Sequence, residues 1–262
     1  TAAYELIAQL SKINSKHEII IFTKTNTLSP KTIHDLKIIP VRGKLFIDFE
    51  QFFLPLKAKN EQVDILHCTG NTTPLFYNKK IIQTLHDIIF MDPIPSSDTF
   101  YQRFGNYYRR FIVPHSVKKS KAIITVSEFE KTRILNRLKI EDDKIHVIYN
   151  GVSPIFNTAR NVTKEENVVA KYQLPKEYIL FLGNTSVRKN PVRVIEAYLL
   201  YLTQDKNPYP IVTPGLNRKF ITDILKKHNQ LKYDYLFITP GYIDRGDLPT
   251  LYSLSKLFLF TS

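Results

Sequence analysis

The sequence predicts an α/β doubly wound fold, on three observations. Short runs such as Ile19-Ile20-Ile21-Phe22 and Ile179-Leu180-Phe181-Leu182 are continuously apolar rather than alternating, as parallel strands covered on both faces require. Segments of helical period separate these runs along the whole chain. The 262 residues are 43% hydrophobic and 23% charged, which is enough to bury a core without disulfide staples and excludes a disordered chain.

A helix over 2–13 opens the chain and places Leu6, Leu10 and Ile13 on one stripe. Strands at 18–23 and 36–41 follow, then a helix over 44–57. Strands at 63–68 and 80–85 precede a long helix over 98–119, on which Phe104, Tyr108 and Phe111 share a face at i, i+4 and i+7. Strand 121–126 leads through Ser127, three residues before Glu130 in a capping-box spacing, into helix 128–139. Strand 144–149 ends at Asn150-Gly151; Pro154 and a polar stretch over 157–168, with a helix over 161–171, mark a boundary. The rhythm restarts with strand 178–182, a helix over 190–204 with Pro191 in its first turn, strand 209–213 and helix 217–228. Strand 234–239, helix 245–254 with Asp244 or Asp247 as its cap, and strand 256–261 complete it. Two domains are expected, 1–157 and 158–262, without internal repeats. Both ends fall on core elements, so the reading expects a fragment of a longer protein, cut at each side.

The net charge is +13, from 37 Lys and Arg against 24 Asp and Glu. An excess of this size favours an anionic partner: nucleic acid, acidic lipid or a phosphorylated ligand. The single cysteine, Cys68, excludes an internal disulfide and a thiolate metal cluster. No basic, apolar leader is visible and no apolar run reaches the roughly 18 residues of a membrane span, so a reducing, cytoplasmic setting is expected. There is no G-x-G-x-x-G, Walker loop or His-Glu-x-x-His, and the seven His show no ligand spacing, so no metal is expected. Asn71-Thr72-Thr73 and Asn161-Val162-Thr163 match glycosylation sequons and are set aside as coincidence in a chain without a visible secretion signal.

Four constellations can carry chemistry. In the first, the strand ending at Leu182 runs into Gly183-Asn184-Thr185 and then Arg188-Lys189 ahead of a helix. Ligands of open α/β sheets bind outside the carboxyl ends of strands, Gly183 permits close backbone approach, and the two cations suit a diphosphate. A solvated basic loop is the alternative, although a helix N-terminus disfavours cations unless an anion is present. In the second, His86-Asp87 stands at the carboxyl end of strand 80–85, where His86 can hydrogen-bond a substrate hydroxyl and Asp87 can orient it or bind an acceptor. Taken alone, the dipeptide reads first as a loop or N-cap pair. In the third, Gly241-Tyr242-Ile243 follows a strand; its main chain can read a nucleobase edge with Tyr242 or Ile243 against the base, or form a plain turn. The fourth is the helix over 101–121, whose aromatic face and Arg103, Arg109, Arg110, Lys118, Lys119 and Lys121 suit an acidic membrane surface, or a packed helix with a solvated side.

In order along the chain, Thr84-Leu85-His86-Asp87, Ile124-Thr125-Val126-Ser127-Glu128-Phe129-Glu130-Lys131, Val147-Ile148-Tyr149-Asn150-Gly151-Val152, Phe181-Leu182-Gly183 through Arg188-Lys189-Asn190-Pro191, and Gly241-Tyr242-Ile243 with Asp247-Leu248-Pro249 form a pattern. That pattern resembles the retaining nucleotide-sugar glycosyltransferases of the group 1 / family 4 class. The resemblance implies the GT-B architecture, two Rossmann-like domains facing across a cleft. The acceptor is then held mainly by the first, whose first strand is missing here, and the donor mainly by the second, incomplete one. By the same resemblance, Arg188 and Lys189 fall on the donor-diphosphate pair. Gly183, Asn184 and Thr185 fall on the loop opening the donor site. His86, with Asp87 beside it, falls on the histidine facing the donor sugar, and Tyr242 and Ile243 near the nucleobase. The implied glycine-rich loop before Thr1 and Glu-x7-Glu segment beyond Ser262 are missing, so the fragment is expected to be inactive alone.

The implied activity is transfer of a hexose from a UDP- or GDP-linked donor to a saccharide or lipid-linked acceptor, with retention and without a metal or cofactor, in a mannosyltransferase-like role in polysaccharide biosynthesis. Peripheral contact with the acidic inner face of a membrane belongs to this expectation. Two other readings stay open: a basic nucleic-acid-binding protein, motivated by the charge, and a non-catalytic nucleotide-sugar-binding member of the same fold.

Overall fold

In the computed structural model, the described residues are 2–13, 16–24, 36–93, 99–157 and 161–261. They form two compact units, Thr1–Gly151 and Val152–Ser262, each built of parallel strands and helices. The division lies six residues before the expected one, just after Asn150-Gly151.

The first unit begins with α1 (Ala2–Leu10), β1 (Ile20–Lys24) and β2 (Lys37–Val41), the two strands pairing in parallel as a separate small sheet. The helix expected over 44–57 is broken into α2 (Phe46–Asp48), a π-helical turn at Phe49–Phe53 and α3 (Leu54–Asn60). Pro55 explains the break: it has no N–H for the carbonyl four residues back, and the turn before it widens. β3 (Ile65–Cys68) and β4 (Lys80–Thr84) follow, then a 3-10 turn at Ile89–Met91, α4 (Phe100–Lys119), β5 (Ala122–Thr125), α5 (Glu128–Leu138) and β6 (Ile145–Val147). The second sheet has the order β3-β4-β5-β6, all parallel. Val113 and Val117 of α4 and Ile134 and Leu138 of α5 pack with Leu85 and Ile123 in one core, while Leu54 and Ala58 of α3 pack with Leu66 and Ile81 in another. Helices therefore cover both faces, which is why these strands lack polar alternation.

Two capping expectations need correction. Ser127 caps α5 by accepting the Glu130 backbone N–H at 3.1 Å, but the Glu130 carboxylate turns to Arg133 at 3.0 Å, so only half of the expected box forms. A complete box stands at α4 instead: Thr99 Oγ1 accepts the Gln102 N–H at 3.3 Å and Gln102 Oε1 accepts the Thr99 N–H at 2.8 Å.

The second unit contains α6 (Val162–Tyr172), β7 (Ile179–Phe181), a 3-10 turn at Val187–Lys189, α7 (Pro191–Gln204), β8 (Ile211–Val212) and α8 (Arg218–Lys227). A 3-10 stretch over Leu231–Leu236, β9 (Phe237–Ile238), α9 (Leu248–Leu254) and β10 (Leu257–Leu259) complete it. β8 is shorter than expected because Pro208, Pro210 and Pro214 flank it and cannot donate to a ladder. Successive strand residues enter opposite cores. Ile179, Phe181, Ile211 and Phe237 pack with α7 and α8, and Tyr178, Leu180 and Val212 with α6 and α9. The cap expected from Asp244 or Asp247 at α9 does not form: Asp247 is spent on Lys171 at 2.8 Å and Tyr172 at 2.9 Å, and Asp244 on Lys171 at 2.6 Å.

The parallel order here is β10-β7-β8-β9. The chain proceeds from β7 outward to β8 and β9, then returns to add β10 on the other side of β7. The sheet thus has a topological switch point between β7 and β10, the kind of place outside which ligands of open α/β sheets bind.

Candidate functional site

Each unit places one group of sequence-predicted residues at the carboxyl ends of its strands. In the second unit that group lies at the switch point. Gly183 is buried and lies two residues past the end of β7. A side chain there would meet the Phe181 ring at 2.1 Å, and one at Gly215, after β8, would meet the Gly183 carbonyl oxygen at 1.7 Å. The two loops therefore touch backbone to backbone, which the bare Gly215 permits, while Gly183 leaves room for the Phe181 ring. Gly215 was not singled out by the sequence reading; the turn signal Pro214-Gly215 after a strand is what could have found it.

Beyond Gly183 the loop stays open. Asn184 Oδ1 accepts the Ser186 N–H at 2.9 Å, and both Asn184 and Thr185 are exposed. Val187–Lys189 form a 3-10 turn that closes on Asn190, which has a left-handed φ of 50°. That conformation leaves the first turn of α7 without a side-chain cap. Arg188 is exposed, and its guanidinium has no hydrogen-bond or ion-pair partner among the described residues. Lys189 differs: its ammonium lies 5.3 Å from the centre of the Phe260 ring, and its carbonyl accepts Thr261 Oγ1–H at 2.8 Å. The loop after β7 is thus tied to the segment after β10 across the switch point. The two cations adjoin, one free and one held.

Tyr242 is 84% exposed and follows Gly241, whose φ is +79°. Ile243 is buried beside Tyr172, Tyr178 and Leu251. Of the two, only the Tyr242 ring has a face to offer a base; Ile243 can contribute its main chain.

In the first unit the group is His86 and Asp87, and what holds it was missed in the sequence. Asn71 follows β3 with a left-handed φ of 61°. Its Oδ1 accepts the His86 backbone N–H at 2.8 Å, its Nδ2 donates to the Asp87 carbonyl at 3.5 Å, and its own N–H donates to the Thr84 carbonyl at 3.1 Å. Gln83 Nε2 donates to the Asn71 carbonyl at 2.7 Å. The His86 ring donates from Nε2 to the Thr69 carbonyl at 3.0 Å. Because a carbonyl only accepts, Nε2 carries the proton, and in the neutral ring Nδ1 is the acceptor. The Asp87 carboxylate accepts the Ile89 N–H at 3.1 Å, which makes it a turn former as well as a charge. The sequon that contains Asn71 was set aside; its place just past a strand's carboxyl end was the informative signal.

Behind this loop lies a buried carboxylate, Glu50, in the π-helical turn. It accepts Thr72 Oγ1–H and the Tyr108 hydroxyl, each at 2.5 Å, and Gln51 Nε2–H at 2.9 Å. Burial pushes its carboxyl above the ordinary value of 4.5, against the three donors and Arg109. Burial also lowers His67 and raises the Cys68 thiol, so Cys68 is a packed side chain rather than a nucleophile. Among the described residues no cluster of three or more His, Cys, Asp or Glu is placed to hold a metal ion, and no helix is long and apolar enough to cross a membrane.

Residues 1–155 match the family model of Glycosyltransferase Family 4. O-antigen chain mannosyltransferase B of Escherichia coli is 26% identical over 193 residues, covering 70% of this chain and 47% of that protein. The chain spans about half the length of this curated relative, and less of the next ones. Among solved structures, a glycosyltransferase from Rickettsia africae superposes with a TM-score of 0.68 at 22% identity, over 100% of this chain and 68% of that one. HepE of Anabaena, solved with UDP and glucose, gives 0.61 at 17%, over 100% and 70%. These likenesses show the α/β fold of GT-B type for the chain.

Proposed function

The chain belongs to Glycosyltransferase Family 4, and on that premise we propose that the protein transfers a hexose from a UDP- or GDP-linked donor to a saccharide or lipid-linked acceptor in glycan biosynthesis, retaining the anomeric configuration. The observation that carries the reading is the Arg188–Lys189 pair at the switch point of a parallel sheet. An exposed guanidinium without a partner stands beside an uncapped helix start, past a loop whose glycines allow close backbone approach. A nucleotide sugar presents a diphosphate of matching charge. Similarity to a mannosyltransferase and to a protein solved with UDP and glucose supports the same substrate class.

In the proposed step the bond between the anomeric carbon and the diphosphate oxygen breaks, and the nucleoside diphosphate leaves with the electron pair. Arg188 and Lys189 neutralise the growing charge on that leaving group. The acceptor oxygen bonds to the anomeric carbon on the face the diphosphate leaves, and its proton passes to a phosphate oxygen. His86, with Nε2 fixed on Thr69, has Nδ1 to accept a hydroxyl proton in a hydrogen bond, and Asp87 supplies negative charge beside it. Gly183, Asn184 and Thr185 line the donor loop, and Tyr242 with the Ile243 main chain meets the base. Where the acceptor is lipid-linked, the protein works in contact with acidic lipid.

The test is incubation of the full-length protein with UDP- and GDP-linked hexoses and a glycan acceptor, with the anomeric configuration of the product read by NMR. Transfer with retention is expected. Binding of the nucleoside diphosphate without transfer would leave a non-catalytic nucleotide-sugar-binding protein, and absence of binding would remove the donor site.

A further inference from the structure

The loop after β3 is held from two sides. On one side it binds the His86 segment: the Thr69 carbonyl accepts from the ring, and the Asn71 side chain bonds the His86 N–H and the Asp87 carbonyl. On the other side it is gripped by the π-helical turn, where two successive side chains, Glu50 and Gln51, are buried. Thr72 Oγ1–H donates to Glu50 Oε1 at 2.5 Å. Gln51 Nε2–H donates to the Thr73 carbonyl at 3.1 Å, and Gln51 Oε1 accepts the Leu75 N–H at 2.9 Å. Single π turns of this kind recur at functional sites.

Between the two sides the backbone is strained. The Thr72 N–H donates to the Gly70 carbonyl at 2.7 Å, which closes a three-residue turn on Asn71. With the central φ at 61°, this is the rare, strained hand of such a turn. A strained turn persists only where its surroundings over-determine it. Thr72, the residue that leaves the turn, is buried with its hydroxyl on Glu50. Glu50 is fixed in turn from α4, because Tyr108 O–H donates to Oε2 at 2.5 Å. The sequence places Tyr108 on one face with Phe104 and Phe111. It turns inward instead, and Tyr107, 57% exposed, lies outward with those rings. A buried carboxylate is costly to desolvate, and an apolar side chain would fill the same space. What the carboxylate adds is direction: its two oxygens tie the turn to the helix.

We propose that Glu50 is a positioning residue for His86: through Thr72 it holds the turn on Asn71, and so keeps the His86 ring on the Thr69 carbonyl with Nδ1 as the acceptor. Among the described residues Glu50 makes no hydrogen bond to His86 itself, so its action passes through the loop. The loop links the two by a short path. Thr72 adjoins Asn71, which holds the His86 backbone, and Thr69 lies two residues before Asn71 and holds the ring. Fixing one ring nitrogen by a hydrogen bond sets the tautomer, and the tautomer sets what the other nitrogen can do. The consequence for sugar transfer rests on the transfer reading; the hold on the ring does not.

The experiment is nitrogen NMR of the histidine rings in the full-length protein, at a pH where the His86 ring is neutral. The His86 signals are identified by their loss in His86→Asn. Wild type is expected to show the Nε2–H tautomer alone. Thr72→Val removes the hydroxyl at nearly constant shape, and the Nδ1–H tautomer should then appear beside the first. Thr72→Ser returns the hydroxyl and should return the wild-type spectrum. Tyr108→Phe loosens Glu50 from the side of α4 and should act as Thr72→Val does; it decides the matter if Thr72→Val does not fold. In a transfer assay Thr72→Val should lower kcat roughly ten- to hundred-fold, with the KM for the nucleotide sugar unchanged. Mixed tautomers in wild type overturn the proposal. So does a ring in folded Thr72→Val, or failing that in Tyr108→Phe, that matches wild type, and so does a fall in kcat that Thr72→Ser shares. The expected ring behaviour in a protein that transfers no sugar leaves the positioning role intact and removes only the transfer reading.

Discussion

The Asn71 side-chain oxygen accepts the backbone N–H of His86 at 2.8 Å, so a residue of the loop after β3 holds the residue proposed to face the donor sugar. Asn71 takes a left-handed φ that Asn tolerates better than most residues. Asn71→Ala removes the acceptor and strains the turn. It should cost about 2–4 kcal/mol, from an unsatisfied N–H and an unfavourable left-handed residue. Asn71→Asp keeps the oxygen and tolerates the turn, and should cost roughly 1 kcal/mol or less. Urea unfolding of both variants checks the order; equal losses would show that the His86 N–H does not depend on this side chain.

Gly215 and Gly183 make the second relationship of this kind. A methyl group on Gly215 would lie 1.7 Å from the Gly183 carbonyl oxygen, and backbone cannot swing aside as a side chain does. Gly215→Ala should destabilise the second unit by about 3 kcal/mol and displace the loop over 183–185. Thermal unfolding, together with titration of UDP and GDP, measures both effects. A wild-type melting temperature would mean that the two loops can part freely.

Arg188→Ala removes the unpaired guanidinium. Loss of one charge-assisted hydrogen bond, about 1.5–3 kcal/mol, should weaken binding of UDP or GDP roughly ten- to hundred-fold and lower sugar turnover. Isothermal titration reads the first effect and a transfer assay the second. Unchanged affinity for nucleoside diphosphates would remove Arg188 from the site.

Tyr242→Ala tests the nucleobase contact separately. Loss of ring stacking, about 1–3 kcal/mol, should weaken UDP and GDP while leaving inorganic pyrophosphate unaffected. If pyrophosphate weakens equally, Tyr242 supports the loop rather than the base.

Glu50 gives a pH signature. Burial raises its carboxyl above 4.5, so the folded chain keeps a proton that the unfolded chain has released. The stability contributed is full below the unfolded value and is lost as pH rises through the folded one. Glu50→Gln cannot ionise, and its amide can still bond the Thr72 and Tyr108 hydroxyls. The stability of this variant relative to wild type should therefore increase as pH rises from about 4 to about 8 in urea unfolding. Parallel curves would mean that the three donors offset burial completely.

Much of the fold was legible in the residues. The continuous runs Ile179–Phe181 and Ile211–Val212 declare strands covered on both faces, and each alternates between two cores as such a run requires. Ser127 and Pro191 mark helix starts because capping and a fixed φ act within one turn of chain. Less was legible where two distant segments meet. Glu130 resembled the second half of a capping box but found Arg133; Asp247 resembled a cap but found Lys171 and Tyr172 from α6. Each polar side chain had a local use and a distant one, and packing chose.

By itself the sequence determined the order of strands and helices and the placing of His86, Gly183 and Arg188-Lys189 just past strand ends, because local periodicity and turn chemistry act between near neighbours. Tertiary structure alone decided that β10 returns to β7 and makes a switch point, that Asn71 holds His86, that Gly215 must be bare beside Gly183, and that Tyr107 rather than Tyr108 faces outward. The physical reason is one of range. A hydrogen bond or a steric contact is set by distance in space, and spacing along the chain does not encode which remote atom arrives within three ångströms.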